Sequence, residues 1–100
     1  MSGQQVTEVD PRGLHLPTTR PDGADPGKLQ RQISQFGRSK VGMPPFQLIR
    51  GSDNHLVINN GVTRATRIAK LSPGTTVPAE IIGRTKRPVG HLPTVEDKLP

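Results

Sequence analysis

A chain of 100 residues, 30% of them hydrophobic and none of them cysteine, has room for one domain with a modest core, and it excludes disulfide frameworks, thiolate metal sites and thiol nucleophiles. A formal net charge of +6 and a pI near 10.9 favour association with polyanions such as nucleic acid or nucleotides. No apolar run approaches the ~20 residues of a membrane-spanning helix, and Met1-Ser2-Gly3-Gln4-Gln5 lacks the basic and apolar segments of a secretory signal, so a soluble, cytoplasmic protein is expected.

In chain order, Gln5-Val6-Thr7-Glu8-Val9 alternates as a short strand does before Asp10-Pro11 stops it. Thr18 to Gly27 is dense in turn formers and reads as a loop. Asp25 is placed as an N-cap with Pro26 at the first helical position, and Leu29, Ile33 and Phe36 recur at i, i+4 and i+7, which predicts an amphipathic helix closed by Gly37. A basic connector, Arg38-Ser39-Lys40, leads to a strand beginning near Phe46. Gly51-Ser52-Asp53-Asn54 then turns the chain into a second β run, His55 to Asn59, so that the two pair as a hairpin. Asn60-Gly61 breaks that strand, and Val62, Ala65, Ile68, Ala69 and Leu71 follow at helical spacing until Ser72-Pro73-Gly74. Thr75 to Ile82 is the last strand, with Pro78 arguing for an edge or an irregular start. Phe36 and Phe46 are the only aromatics, so the core is expected from Leu, Ile and Val. The fold class is α+β, a small mixed sheet with two helices spanning residues 1–82, and residues 83–100 read as a basic, Pro-rich C-terminal tail.

The junction at Gly61 carries the chemistry. A strand ending at Asn59-Asn60-Gly61 runs straight into a helix, whose first amides are unpaired and whose N-terminus carries ~0.5 of a positive charge, a natural place for a phosphate. Gly61 lets an anion approach the backbone, Thr63 adds a hydroxyl donor, and Arg64 adds a planar fork matched to phosphate oxygens. The plain alternative is an ordinary strand-to-helix turn with Arg64 and Arg67 as solvated helix residues.

The order Asp25-Pro26-Gly27-Lys28-Leu29-Gln30, a short helix, Met43-Pro44-Pro45-Phe46-Gln47-Leu48, a hairpin, Gly61-Val62-Thr63-Arg64, a helix and Thr76-Val77-Pro78-Ala79-Glu80-Ile81-Ile82 resembles the ParB/sulfiredoxin superfamily from about Val6 to Ile82. That superfamily opens the corresponding helix with G-x-x-R, as G-E-R-R-x-R-A in partition proteins and G-C-H-R in sulfiredoxins. The resemblance implies that Gly61, Thr63 and Arg64 contact nucleotide phosphates, with Arg67 in a partition-protein-like place. It also matches Lys28 to the nucleotide-contacting lysine of the sulfiredoxin A-K-V-Q-S-L segment and Arg20 to the family's N-x-R segment. ATP or CTP with Mg²⁺ is the cofactor expected; if a metal takes part, the nucleotide phosphates would hold it with one or two oxygens from the Asn59-Asn60 or Asp22-Asp25 regions. Weak phosphodiester or nucleoside triphosphate hydrolysis is a further expectation from the same source.

The departures from the pattern are as informative. Val62 stands where sulfiredoxins carry their cysteine, which excludes a thiol-based sulfinic reductase, and where partition proteins carry a glutamate. The chain also has no room for a helix-turn-helix reading region and dimerisation segment. Two other classes therefore stay open: a non-catalytic domain binding a partner protein on the same fold, and a toxin or effector nuclease domain. Nucleic-acid backbone could also run along Arg38-Ser39-Lys40 and Arg84-Thr85-Lys86-Arg87, which equally suit a solvated surface. The absence of Tyr and Trp disfavours base stacking. His15, His55 and His91 lie far apart with no metal-ligand spacing and read as ordinary histidines.

Overall fold

A computed structural model describes residues 5–100. Most of the segment used to assess a secretory signal, residues 1–4, lies outside the described residues.

The local signals of the first helix act as their chemistry requires. In α1 (Pro26–Phe36) the Asp25 carboxylate accepts from the Lys28 amide at 2.9 Å, and Pro26 takes the first turn, where no amide partner is needed. Gly37 closes the helix at φ +54° and donates its N–H to the Ile33 carbonyl. Leu29 is the one buried side chain of the helix, whereas Phe36 is 42% exposed. The predicted apolar stripe thus meets the core only at its N-terminal end.

Four strands form a mixed sheet in the order β1 (Gln5–Val9), β4 (Val77–Arg84), β2 (Phe46–Arg50), β3 (Leu56–Asn60). The β2–β3 hairpin is antiparallel, and its turn is closed by the Gly51 amide on the His55 carbonyl at 2.8 Å. From β3 the chain passes through α2 (Val62–Leu71) and returns as β4, parallel to β2, a crossover of the length parallel pairing needs. Strand β4 then pairs antiparallel with β1.

Pro78 lies at the start of a strand that is central to the sheet, so of the two expectations the irregular start applies. The parallel ladder to β2 starts one residue later, at Phe46 opposite Ala79, so at Pro78 the strand has a single neighbour, Glu8 of β1. The missing amide falls where β4 is still an edge locally.

One face of the sheet packs on α2 through Ala65, Ile68 and Ala69, all nearly inaccessible, against Phe46, Leu48, Ile58, Val77 and Ala79. Phe46 is fully buried, so an aromatic ring and several alanines join the expected Leu, Ile and Val.

The segments outside the helices and strands are integral to this body. His15 bridges the outer edge of β3, donating its amide to the Leu56 carbonyl at 2.9 Å and accepting from the Ile58 amide at 2.9 Å. Residues 93–95 then pair with 14–16 through Leu16 N–H to Pro93 O at 2.7 Å and Val95 N–H to Leu14 O at 2.9 Å. Leu14, Leu16 and Val95 belong to the core. The boundary drawn after residue 82 is thus corrected: β4 continues to Arg84, residues 14–16 cover the sheet edge that β3 would otherwise expose, and residues 93–95 pair with them in turn. Such coverage needs no periodic hydrophobic pattern, only a few apolar side chains placed among prolines.

Candidate functional site

Strand β3 and helix α2 meet at Gly61, which caps the helix at φ +120°, ψ 17°. This backbone region is strained for any residue with a Cβ. A Cβ there would also stand 2.9 Å from Phe46 Cδ1 and 3.2 Å from Arg64 Nη2. Glycine is thus required twice, by its own dihedral and by the ring and guanidinium folded against it.

The first intrahelical bond of α2 runs from the Ala65 amide to the Gly61 carbonyl at 2.8 Å, and no side chain caps the helix. The amides of Val62, Thr63 and Arg64 precede that bond and bring the positive end of the helix to the surface. In front of them lies a cavity of about 450 Å³. Gly61, Thr63 and Arg64 line it from α2, Lys28 lines it from the first turn of α1, and Arg20 lines it from the preceding loop. Five of the six residues singled out in the sequence thus share one pocket, although Arg20 and Arg64 are far apart in the chain.

Arg64 is oriented within the pocket. Its Nη1 donates to the Pro44 carbonyl at 2.8 Å, and its guanidinium carbon lies 5.4 Å from the centre of the Phe46 ring. Stacking and one hydrogen bond hold the fork while most of its donors remain available. Burial lowers the Arg64 pKa from the ordinary arginine value, which still leaves the group a cation at neutral pH. Among the described residues the one ion pair is Arg12 with Asp10 at 2.7 Å, so none of Arg20, Lys28 and Arg64 is held in an ion pair.

Arg67, one turn further along α2, does not reach the pocket. Its side chain is 1% exposed, and Nη1 donates to the carbonyls of Gly37 at 2.7 Å and Ser39 at 2.9 Å. Nε donates to Gln32 Oε1 at 3.3 Å, Nη2 contacts Met43 Sδ at 3.5 Å, and the guanidinium lies over the Phe36 ring. The grouping of Arg67 with phosphate-binding residues is therefore corrected. Its cation is satisfied by the carbonyl-rich C-terminal end of α1 and ties that end to α2.

Sequence reasoning overlooked two polar residues on the pocket wall, Thr19 and Gln32. Gln32 had a usable signal, since it follows Lys28 by four positions and shares its helix face. Asp25, Asn59 and Asn60 supply oxygens to the same wall, whereas Asp22 lies against a different cavity, beside Lys70 and Lys98. One Asp25 oxygen is already used in capping α1. Among the described residues no three His, Asp or Glu side chains cluster as a metal site. The structure does bring together two histidines that are remote in sequence: His15 Nε2 lies 3.3 Å from His55 Nδ1, and His15 Nδ1 lies 2.8 Å from the Leu92 carbonyl.

Fold and pocket together define a small α+β domain with a cationic cavity at a helix N-terminus. Comparison with known proteins adds no relative: no family model, no curated protein and no solved structure matches the chain significantly. Among the described residues no helix is long and apolar enough to cross a membrane.

Proposed function

We propose that this domain binds the phosphates of a nucleotide or of nucleic acid in the cavity at the N-terminus of α2, as its resemblance to the ParB/sulfiredoxin superfamily implies. The observation that carries the reading is the convergence of Arg20, Lys28 and Arg64 on the uncapped amides of Val62 to Arg64, with no ion-pairing carboxylate on any of the three cations. Arg64 supplies the oriented fork, Lys28 and Arg20 exposed charges, and Thr63 a hydroxyl.

Binding is better supported than hydrolysis. Val62 lines the pocket with a hydrocarbon side chain where the resembled motifs carry a glutamate or a cysteine. Asp25, the carboxylate on the wall, is engaged as a helix cap. With ATP or CTP as ligand, Asn59, Asn60 and the Asp25 oxygen not used in capping would be the donors for an accompanying Mg²⁺, which would supply positive charge against the phosphates.

Titration of a fluorescent nucleoside triphosphate with Mg²⁺ tests the proposal. Saturable binding is expected, weakened by about tenfold to a hundredfold in Arg64→Ala, as removal of a charge-assisted hydrogen bond predicts. No binding at millimolar ligand, or binding indifferent to Arg64→Ala, would overturn it.

A further inference from the structure

A second cavity, of about 470 Å³, adjoins the first and has the opposite character. Ile49 and Val57 on the sheet and Pro88, Val89 and Leu92 on the C-terminal segment form an apolar groove, with Arg87 and His91 also on its wall. No carboxylate lines it. Pro17 and Asn59 wall both cavities, and of two consecutive residues Thr18 faces the groove and Thr19 the cationic pocket. The two sites are therefore contiguous across the Pro17–Asn59 boundary.

The groove is held in shape by bonds that do not involve its lining side chains. The Asp53 carboxylate accepts from the amides of Val89 at 3.3 Å and Gly90 at 2.8 Å, the Ser52 amide donates to the Arg87 carbonyl at 3.0 Å, and the His15 ring bonds the Leu92 carbonyl at 2.8 Å. Each bond fixes backbone on the far wall without engaging the side chain of Arg87 or Leu92. A preformed apolar cleft of this size with a few polar groups is the usual setting for the body of a small ligand. The planar guanidinium of Arg87 and imidazole of His91 suit the face of a ring better than an alkyl chain.

We infer that the ligand of the cationic pocket is a phosphate ester carrying an aromatic or heteroaromatic ring, with the phosphate at the N-terminus of α2 and the ring in the groove between β3 and residues 85–92. The inference rests on the phosphate-binding reading and specifies what is attached to the phosphate.

The test is an amide-resolved NMR titration of the whole chain with inorganic phosphate, phenyl phosphate, butyl phosphate and a nucleoside monophosphate. All four are expected to shift the amides of Val62 to Arg64, while only the two ring-bearing esters shift those of Val89 to Leu92. Phenyl phosphate is expected to bind roughly tenfold more tightly than inorganic phosphate, since burying even part of a ring contributes on that scale. Arg87→Ala and Leu92→Ala should bring that ratio towards one while leaving inorganic phosphate affinity unchanged. Arg87→Ala keeps the backbone carbonyl that accepts from the Ser52 amide, so that variant keeps the test meaningful if Leu92→Ala loosens the segment. Equal affinity for phenyl and inorganic phosphate, with the Val62 to Arg64 shifts intact, would overturn the inference and leave the phosphate pocket standing. Failure of every ligand to shift those amides would overturn both. Ring binding that survives Arg64→Ala undiminished would show the groove to be independent of the pocket and would also overturn the inference.

Discussion

Arg64 and Arg67 lie three residues apart on one helix and do opposite work. Around Arg67 the chain wraps carbonyls, an amide side chain, a thioether and a ring, and it leaves the guanidinium 1% exposed with acceptors on every nitrogen. Around Arg64 the protein provides one carbonyl and one ring, enough to aim the fork, and a cavity in front of it. An arginine is thus available to a ligand when its own chain leaves donors unmatched, and i to i+3 spacing on a helix does not by itself place two cations at one site.

The comparison breaks most visibly at Arg67. Arg67→Ala should destabilise the fold by about 3 kcal/mol or more, because it empties a packed site and leaves buried carbonyls without donors. Chemical denaturation would read this loss, and phosphate affinity measured on the folded fraction should hardly change. Gly61→Ala comes next, with an expected cost of about 1–3 kcal/mol for a Cβ at positive φ, increased by the contact with Phe46. It should impair ligand binding too, since the same residue shapes the cavity.

Arg64→Ala should reverse the Arg67 pattern, with a stability change of about 1 kcal/mol or less and the large loss of affinity already described. Lys28→Ala should move stability by no more than about 0.5 kcal/mol, as an exposed substitution does. If the partner is a nucleic acid, Lys28→Ala should also lower the slope of log affinity against log salt by roughly one. A salt slope unchanged by Lys28→Ala would remove that residue from the interface.

The smallest effect is expected at Asp53, and it depends on pH. Burial works to raise its carboxyl, but the amides of Gly90, Val89 and His55 outweigh that and hold the pKa below the ordinary value. A carboxylate lowered in the folded state stabilises above its unfolded pKa of about 3.9 and loses that contribution as pH falls through the folded value. Asp53→Asn should therefore have a lower Tm than the wild type at neutral pH, with the gap closing as pH falls below about 4. A gap independent of pH would show that the carboxylate charge is not what holds the C-terminal segment.

The features legible from the residues alone rest on short-range chemistry. Asp25-Pro26 and Gly37 bound α1, Gly51 to Asn54 turn the hairpin, and Asn60-Gly61 ends β3 and opens α2, because each depends on dihedral preferences and hydrogen bonds within a few residues. The α+β class and most of the pocket followed from those elements and the motif at Gly61. Long-range pairing alone set β4 between β1 and β2, residues 14–16 on the edge of β3 with residues 93–95 against them, His15 beside His55, and Arg67 turned inward. Each of these pairs groups distant in the chain, and the acceptors that capture Arg67 are backbone carbonyls of Gly37 and Ser39, which every residue carries and no sequence pattern distinguishes.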